Sequence, residues 1–191
     1  MTSRLRDLLR TKRRDRQSLI TRWRQDRSGV TAIEFAFVGL PFFMLLFGIM
    51  GVGLFFFTTF SLENALERAA RVIRTGQAQQ TGMTAEQFKN LVCSNAPQFV
   101  DCENKLRINV RHYAEADLTP AVTRNECIEN NTLTNVTIYE PGAASEVVLV
   151  TLCYEWDMVK AIPFLDLKES DMSGARLIQA ATVFRSEPFE N

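Results

Sequence analysis

From Phe35 to Phe60 the chain reads FAFVGLPFFMLLFGIMGVGLFFFTTF, twenty-six residues without one ionisable side chain. A helix needs only about 20 consecutive apolar residues to cross a hydrocarbon core, so residues 30–60 are read as a membrane span. The span divides the 191-residue chain into a leader, 1–29, and a domain, 61–191. A cleaved secretory signal is the competing reading, but its apolar region usually runs to only about 7–15 residues and ends at a small-residue site. No convincing site of that kind follows this run.

The formal net charge is zero, and the average conceals an asymmetry. Residues 1–29 carry ten Lys/Arg against three Asp/Glu, which leaves twelve basic and nineteen acidic residues for the rest. Basic residues flanking a span stay on the cytoplasmic side, so the domain is expected across the membrane, with the protein held single-pass in the inner membrane and its N-terminus in the cytoplasm. Leu5, Leu8, Leu9 and Ile20 give the leader a weakly amphipathic pattern suited to an anionic leaflet. Its place directly before a span favours that role over a nucleic-acid arm, so the bilayer and not a nucleic acid is the expected partner.

All four cysteines, Cys93, Cys102, Cys127 and Cys153, lie beyond the span. An even number in an exported domain reads as two disulfides. Four buried free thiols are the alternative, and a zinc site is disfavoured because the chain has no C-x-x-C and a single histidine. Three pairings are possible. Cys93 with Cys102 and Cys127 with Cys153 is favoured, since the first pair flanks one loop, SNAPQFVD.

The apolar repeat continues past Phe60. Leu62, Ala65, Leu66, Ala69, Ala70, Val72 and Ile73 recur at three- and four-residue intervals with Glu63, Glu67, Arg68, Arg71 and Arg74 between them. One helix is therefore expected from near Thr31 to Thr75, with a kink at Pro41 and a glycine cap at Gly76. A second helix is expected over Ala85–Ser94, where Thr84 and Gln87 have capping-box spacing. LRINVRHY alternates apolar and polar residues as a half-buried strand does. NVTIY and EVVLVTLCYEW flank PGAAS and suggest a hairpin, the second strand apolar on both faces and hence central; ARLIQAATVFRS makes a fourth strand. The fold class is α+β: a long N-terminal transmembrane and spine helix packed on a small antiparallel sheet.

No catalytic constellation is apparent, and no enzyme activity, metal or cofactor is expected. His112 reads as a satisfied structural histidine, and the pairs Asp101/Glu103 and Glu126/Glu129 as solvated carboxylates without a partner base. Glu34 is different. A carboxylate in a membrane segment costs about 2.5–3.5 kcal/mol at the helix centre and less near an interface, and it marks function by default. Against this, Glu34 lies in the first turns of its helix, where negative charge is favoured.

The whole stretch sharpens the reading. A basic leader, Gly29, then Val30-Thr31-Ala32-Ile33-Glu34-Phe35 and an unbroken apolar helix resembles the class III signal of type IV pilin-like proteins. More closely, the chain is similar to the TadE-like family of tight-adherence (Tad, or Flp) pilus proteins. The resemblance rests on that start, on ALERAARVIRTG, and on ATVFRSEPFEN, which is similar to the family's F-R-N-E-P ending with Ser186 in place of Asn. It implies a pilin-like fold and a minor pilin or pseudopilin that takes part in pilus assembly for surface adhesion and biofilm formation. It also implies cleavage between Gly29 and Val30 by a prepilin peptidase, assembly through Glu34 and Phe35, and partners among other Tad minor pilins and inner-membrane platform proteins. The alternative is an uncleaved bitopic inner-membrane protein whose periplasmic domain binds a partner or ligand.

Overall fold

A computed structural model describes residues 29–113, 127–130, 132–134, 137–158 and 174–189. The amphipathic leader and the Asn135 end of the NVTIY segment lie outside them. In chain order the elements are α1 (Val30–Arg74), α2 (Gln77–Thr81), α3 (Ala85–Asn95), α4 (Cys102–Lys105), β1 (Leu106–Tyr113), β2 (Ile128–Glu129), β3 (Thr132–Leu133), β4 (Val147–Trp156) and β5 (Arg176–Arg185). Two compact units divide the chain between Leu46 and Phe47.

In the first unit α1 begins at Val30 and continues helical through Pro41. Its side chains are exposed: Phe37 and Val38 are 78% and 72% accessible. That is the pattern of a helix solvated by lipid, not of a helix in a soluble core.

In the second unit the same helix is amphipathic. Leu62, Ala65, Leu66, Ala69, Ala70 and Ile73 are all buried, in the stripe that the three- and four-residue spacing predicts. Burying each large member of the stripe stabilises by about 1.5–3 kcal/mol, and the alanines allow the sheet to come close. Gly76 ends the helix in the left-handed conformation, φ 78°, and its N–H donates to the Ile73 carbonyl at 3.1 Å. Thr84 and Gln87 form the expected capping box on α3, which buries Phe88 and Val92.

The main sheet has the order β1-β4-β5, antiparallel throughout. Side chains alternate across a strand, so Val148, Val150, Leu152, Tyr154 and Trp156 of β4 face one way, with Leu106, Ile108 and Val110 of β1 and Ile178 and Ala180 of β5. Together with Leu62, Ala65, Leu66, Ala69 and Ile73 of α1, and with Phe88 and Val92, they form the principal core. The opposite face of β4 contributes Cys153 to a smaller core with Cys127, Leu133 and Ala175, beside the short β2–β3 hairpin. Burial on both faces explains the unbroken apolar character of β4 and its central place.

Disulfides join Cys93 to Cys102 and Cys127 to Cys153, the pairing favoured from the sequence. Closing loops of these lengths stabilises by roughly 2.5–3.5 kcal/mol each in the chain-entropy account.

Two expectations need correction. NVTIY does not form a hairpin with β4. Both edges of β4 are taken by β1 and β5, so Tyr139 instead pairs in parallel with Val110 on the outer edge of β1. There the Val110 N–H donates to Ile138 and the Glu140 N–H to Val110, at 2.8 and 2.9 Å. The Pro141–Glu146 segment consequently arches over the C-terminal end of β1 to enter β4. Gly142, φ 72°, is required in that arch, because a Cβ there would stand 2.8 Å from the His112 Cβ. Second, Asn109 is buried and not on a polar face; its Oδ1 accepts the Ile138 N–H at 3.1 Å and secures the added segment. His112, read as a structural histidine, has a side chain 43% exposed that lies 3.8 Å from the Glu140 carboxylate.

Candidate functional site at the start of the helix

Gly29 is exposed and forms the turn into α1, its carbonyl accepting the Ile33 N–H at 3.1 Å. Among the described residues nothing beyond its chain neighbours and the helix's own backbone lies within 4 Å of a Cβ built on it. Val30 is the first helical residue and is half exposed. Glu34 follows on the same helix, exposed, and among the described residues no ion pair engages it. Phe35 is 69% exposed, with its ring lying along Gly39 one turn on. The four residues singled out in the sequence thus sit within two helical turns, each accessible from outside the chain.

The apolar surface that follows is open as well. Only 11% of the most apolar 18-residue window in Val30–Arg74 is buried within the protein, at a mean hydropathy of 2.3. A soluble core helix would be mostly covered. The carboxylate of Glu34 therefore stands at the rim of a surface that water does not favour, with no counter-charge supplied by its own described neighbours.

At the other end of the spine the structure brings together residues that the sequence could not pair. The last carbonyl of α1, on Arg74, would be left without a helical donor. It accepts the Glu187 N–H at 2.8 Å, and the Glu187 carboxylate lies 3.7 Å from the Arg74 guanidinium. Phe189 packs on Gly76. The two distant stretches quoted for the resemblance, RTG and SEPF, are one cap. Only co-variation between positions 76 and 189 could have signalled it in advance. Among the described residues no group of His, Cys, Asp and Glu is arranged to hold a metal ion.

These features define an α+β protein with, among the described residues, one helix long and apolar enough to anchor it in a membrane, and the same helix, Val30–Arg74, supplies the spine of the domain. Residues 29–71 match the family model of the TadE-like protein, the family that the sequence resembles, and the match associates the chain with the Tad pilus. Comparison with the curated proteins and with the solved structures returns no match. The matched range contains Gly29, Val30, Glu34, Phe35 and the spine through Arg71; the cap formed by Gly76 and the C-terminal tail lies beyond it.

Proposed function

We propose that the chain is a minor pilin or pseudopilin of a Tad (Flp) pilus, acting in assembly or priming of a surface-adhesion fibre. A prepilin peptidase removes residues 1–29 at the cytoplasmic face of the inner membrane, the domain resides in the periplasm, and α1 then packs with other minor pilins and platform proteins. The observation that carries this reading is the exposed pair Gly29 and Val30 at the start of an uncovered apolar helix, with a carboxylate at Glu34 that no described residue pairs. The family match, which begins at Gly29, supports it.

Cleavage supplies what Glu34 lacks. It creates an α-amino group at Val30, and that positive charge can pair with Glu34 of a neighbouring subunit, offsetting the cost of moving the carboxylate away from water. Burying such a pair is weak evidence for net stability, and its better-attested use is to fix register. Here one amine and one carboxylate per subunit would set the axial stagger between helices.

Glu34→Gln tests the mechanism because it keeps shape and removes charge. Export, processing and disulfide formation should persist, while co-purification with other pilus components and the number of surface fibres fall. Normal fibres and normal co-purification would make Glu34 a helix-start residue only.

A further inference from the structure

The apolar run is longer than a bilayer requires. Counted from Phe35, the first residue after Glu34, about twenty residues end at Leu54. Phe55–Phe60 remain, and they lie where the domain begins. The Phe55 ring packs edge-on against Trp156 at 5.2 Å, and the Arg176 guanidinium stands over Phe55 at 5.1 Å. Phe56, Phe57 and Phe60 point outward, each at least half exposed.

Beside them is a side chain from a different part of the chain. Phe99, in the loop closed by the Cys93–Cys102 disulfide, lies 6.1 Å from Phe57, ring centre to ring centre, and is 48% exposed. The loop is held firmly enough to hold Phe99 out. Val100 is buried in the core and Ala96, three residues before Phe99, packs against the same core, so the loop is anchored on both sides of Phe99, which is itself exposed. Asp101, two residues on in the chain, is turned back on its own loop, where its carboxylate accepts the Asn104 N–H at 3.1 Å and caps α4.

From this arrangement we infer that the Cys93–Cys102 loop is a second membrane contact: Phe99 enters the headgroup and acyl boundary of the outer leaflet beside Phe57 and seats the domain on the lipid. Three observations choose lipid as the occupant. The patch is continuous with the anchor helix, it begins where a span of bilayer length ends, and it is a cluster of phenylalanines with an arginine beside it, which can sink its rings into the acyl boundary while the guanidinium stays among the headgroups. The disulfide then has a positional role, since it fixes the height of Phe99 against the helix. The inference rests on the anchor alone and not on the pilus reading.

The test uses the full chain in phosphatidylethanolamine and phosphatidylglycerol bilayers, with p-benzoylphenylalanine in place of Phe99 or, as a control, of Val183, which is 59% exposed at the opposite end of the sheet. Peptide mapping of the Cys93–Cys102 link verifies folding in each. On irradiation, position 99 should form covalent lipid adducts and position 183 none. Adducts with protein only, no adduct at 99, or equal lipid adducts at both positions would overturn the inference. Phe99→Trp gives an independent measurement: acyl-chain-brominated lipid should quench the added fluorescence relative to the parent chain, and no added quenching would count against the seat.

Discussion

Gly76 lies directly beneath the ring of Phe189, and a Cβ on Gly76 would occupy the space that the ring fills. The glycine is needed twice over, for its φ of 78° and for that contact. The C-terminal tail is therefore part of the helix terminus: Phe189 covers the cap, and Glu187 satisfies the last carbonyl of α1.

Gly76→Ala should destabilise the domain by about 2–5 kcal/mol, the sum of left-handed strain and overpacking. In a Phe189→Ala background the ring is gone and only the Cβ of residue 189, at 3.0 Å, stays close, so the same substitution should cost less, near the ~1–2 kcal/mol of left-handed strain alone. Chemical unfolding of the full chain in detergent, followed by Trp156 fluorescence, measures both. Equal costs in the two backgrounds would mean that the tail does not clamp the glycine.

Asn109→Ala should free the segment on the outer edge of β1. The Ile138 N–H loses its acceptor, and leaving such a group unpaired costs about 1–3 kcal/mol. Hydrogen exchange should accelerate at Ile138 and Glu140 while the β4 amides stay protected. Uniform acceleration across the sheet would instead make Asn109 a core residue with no special tie to that edge.

Much of this architecture was legible because it is written locally. The α1 stripe repeats every three or four residues, Thr84 and Gln87 are three apart, and β4 is apolar on both faces because both faces are covered. The starting motif that drew attention to Glu34 is local in the same sense. The partner of Tyr139 was not legible. PGAAS is good turn chemistry wherever it lies, and only the occupation of both β4 edges sends residues 137–140 to β1. β2 and β3, of two residues each, have no period to read, and the Gly76–Phe189 cap joins residues far apart in the chain. Phe99 appeared only as part of a disulfide loop, since nothing local places it against Phe57.

The Lys105–Asp157 pair gives a pH-dependent prediction. Lys105 Nζ donates to the Asp157 carboxylate at 2.7 Å, and that hydrogen bond holds the lysine pKa above its usual value of 10.5. A group whose folded pKa is raised contributes stability that is fully present below the unfolded value and is lost as pH rises through the folded one. Lys105→Met should therefore be less stable than the parent near neutral pH, and the difference should shrink above pH 10.5 as the parent's lysine deprotonates. Unfolding titrations of both proteins across that range read the effect. A difference independent of pH would assign it to packing.

The central claim is that the chain becomes functional by losing its leader, and the N-terminus of the mature protein tests it most directly. A side chain at Gly29 meets no described residue within 4 Å, so Gly29→Arg should block the peptidase without disturbing the fold, and it serves as the unprocessed reference. Intact-mass analysis and N-terminal sequencing of membrane-extracted protein should find a chain that begins at Val30, and only the Gly29→Arg chain should keep residues 1–29. A parent chain that keeps residues 1–29 in cells with an active prepilin peptidase would contradict the account and leave an uncleaved bitopic membrane protein in its place.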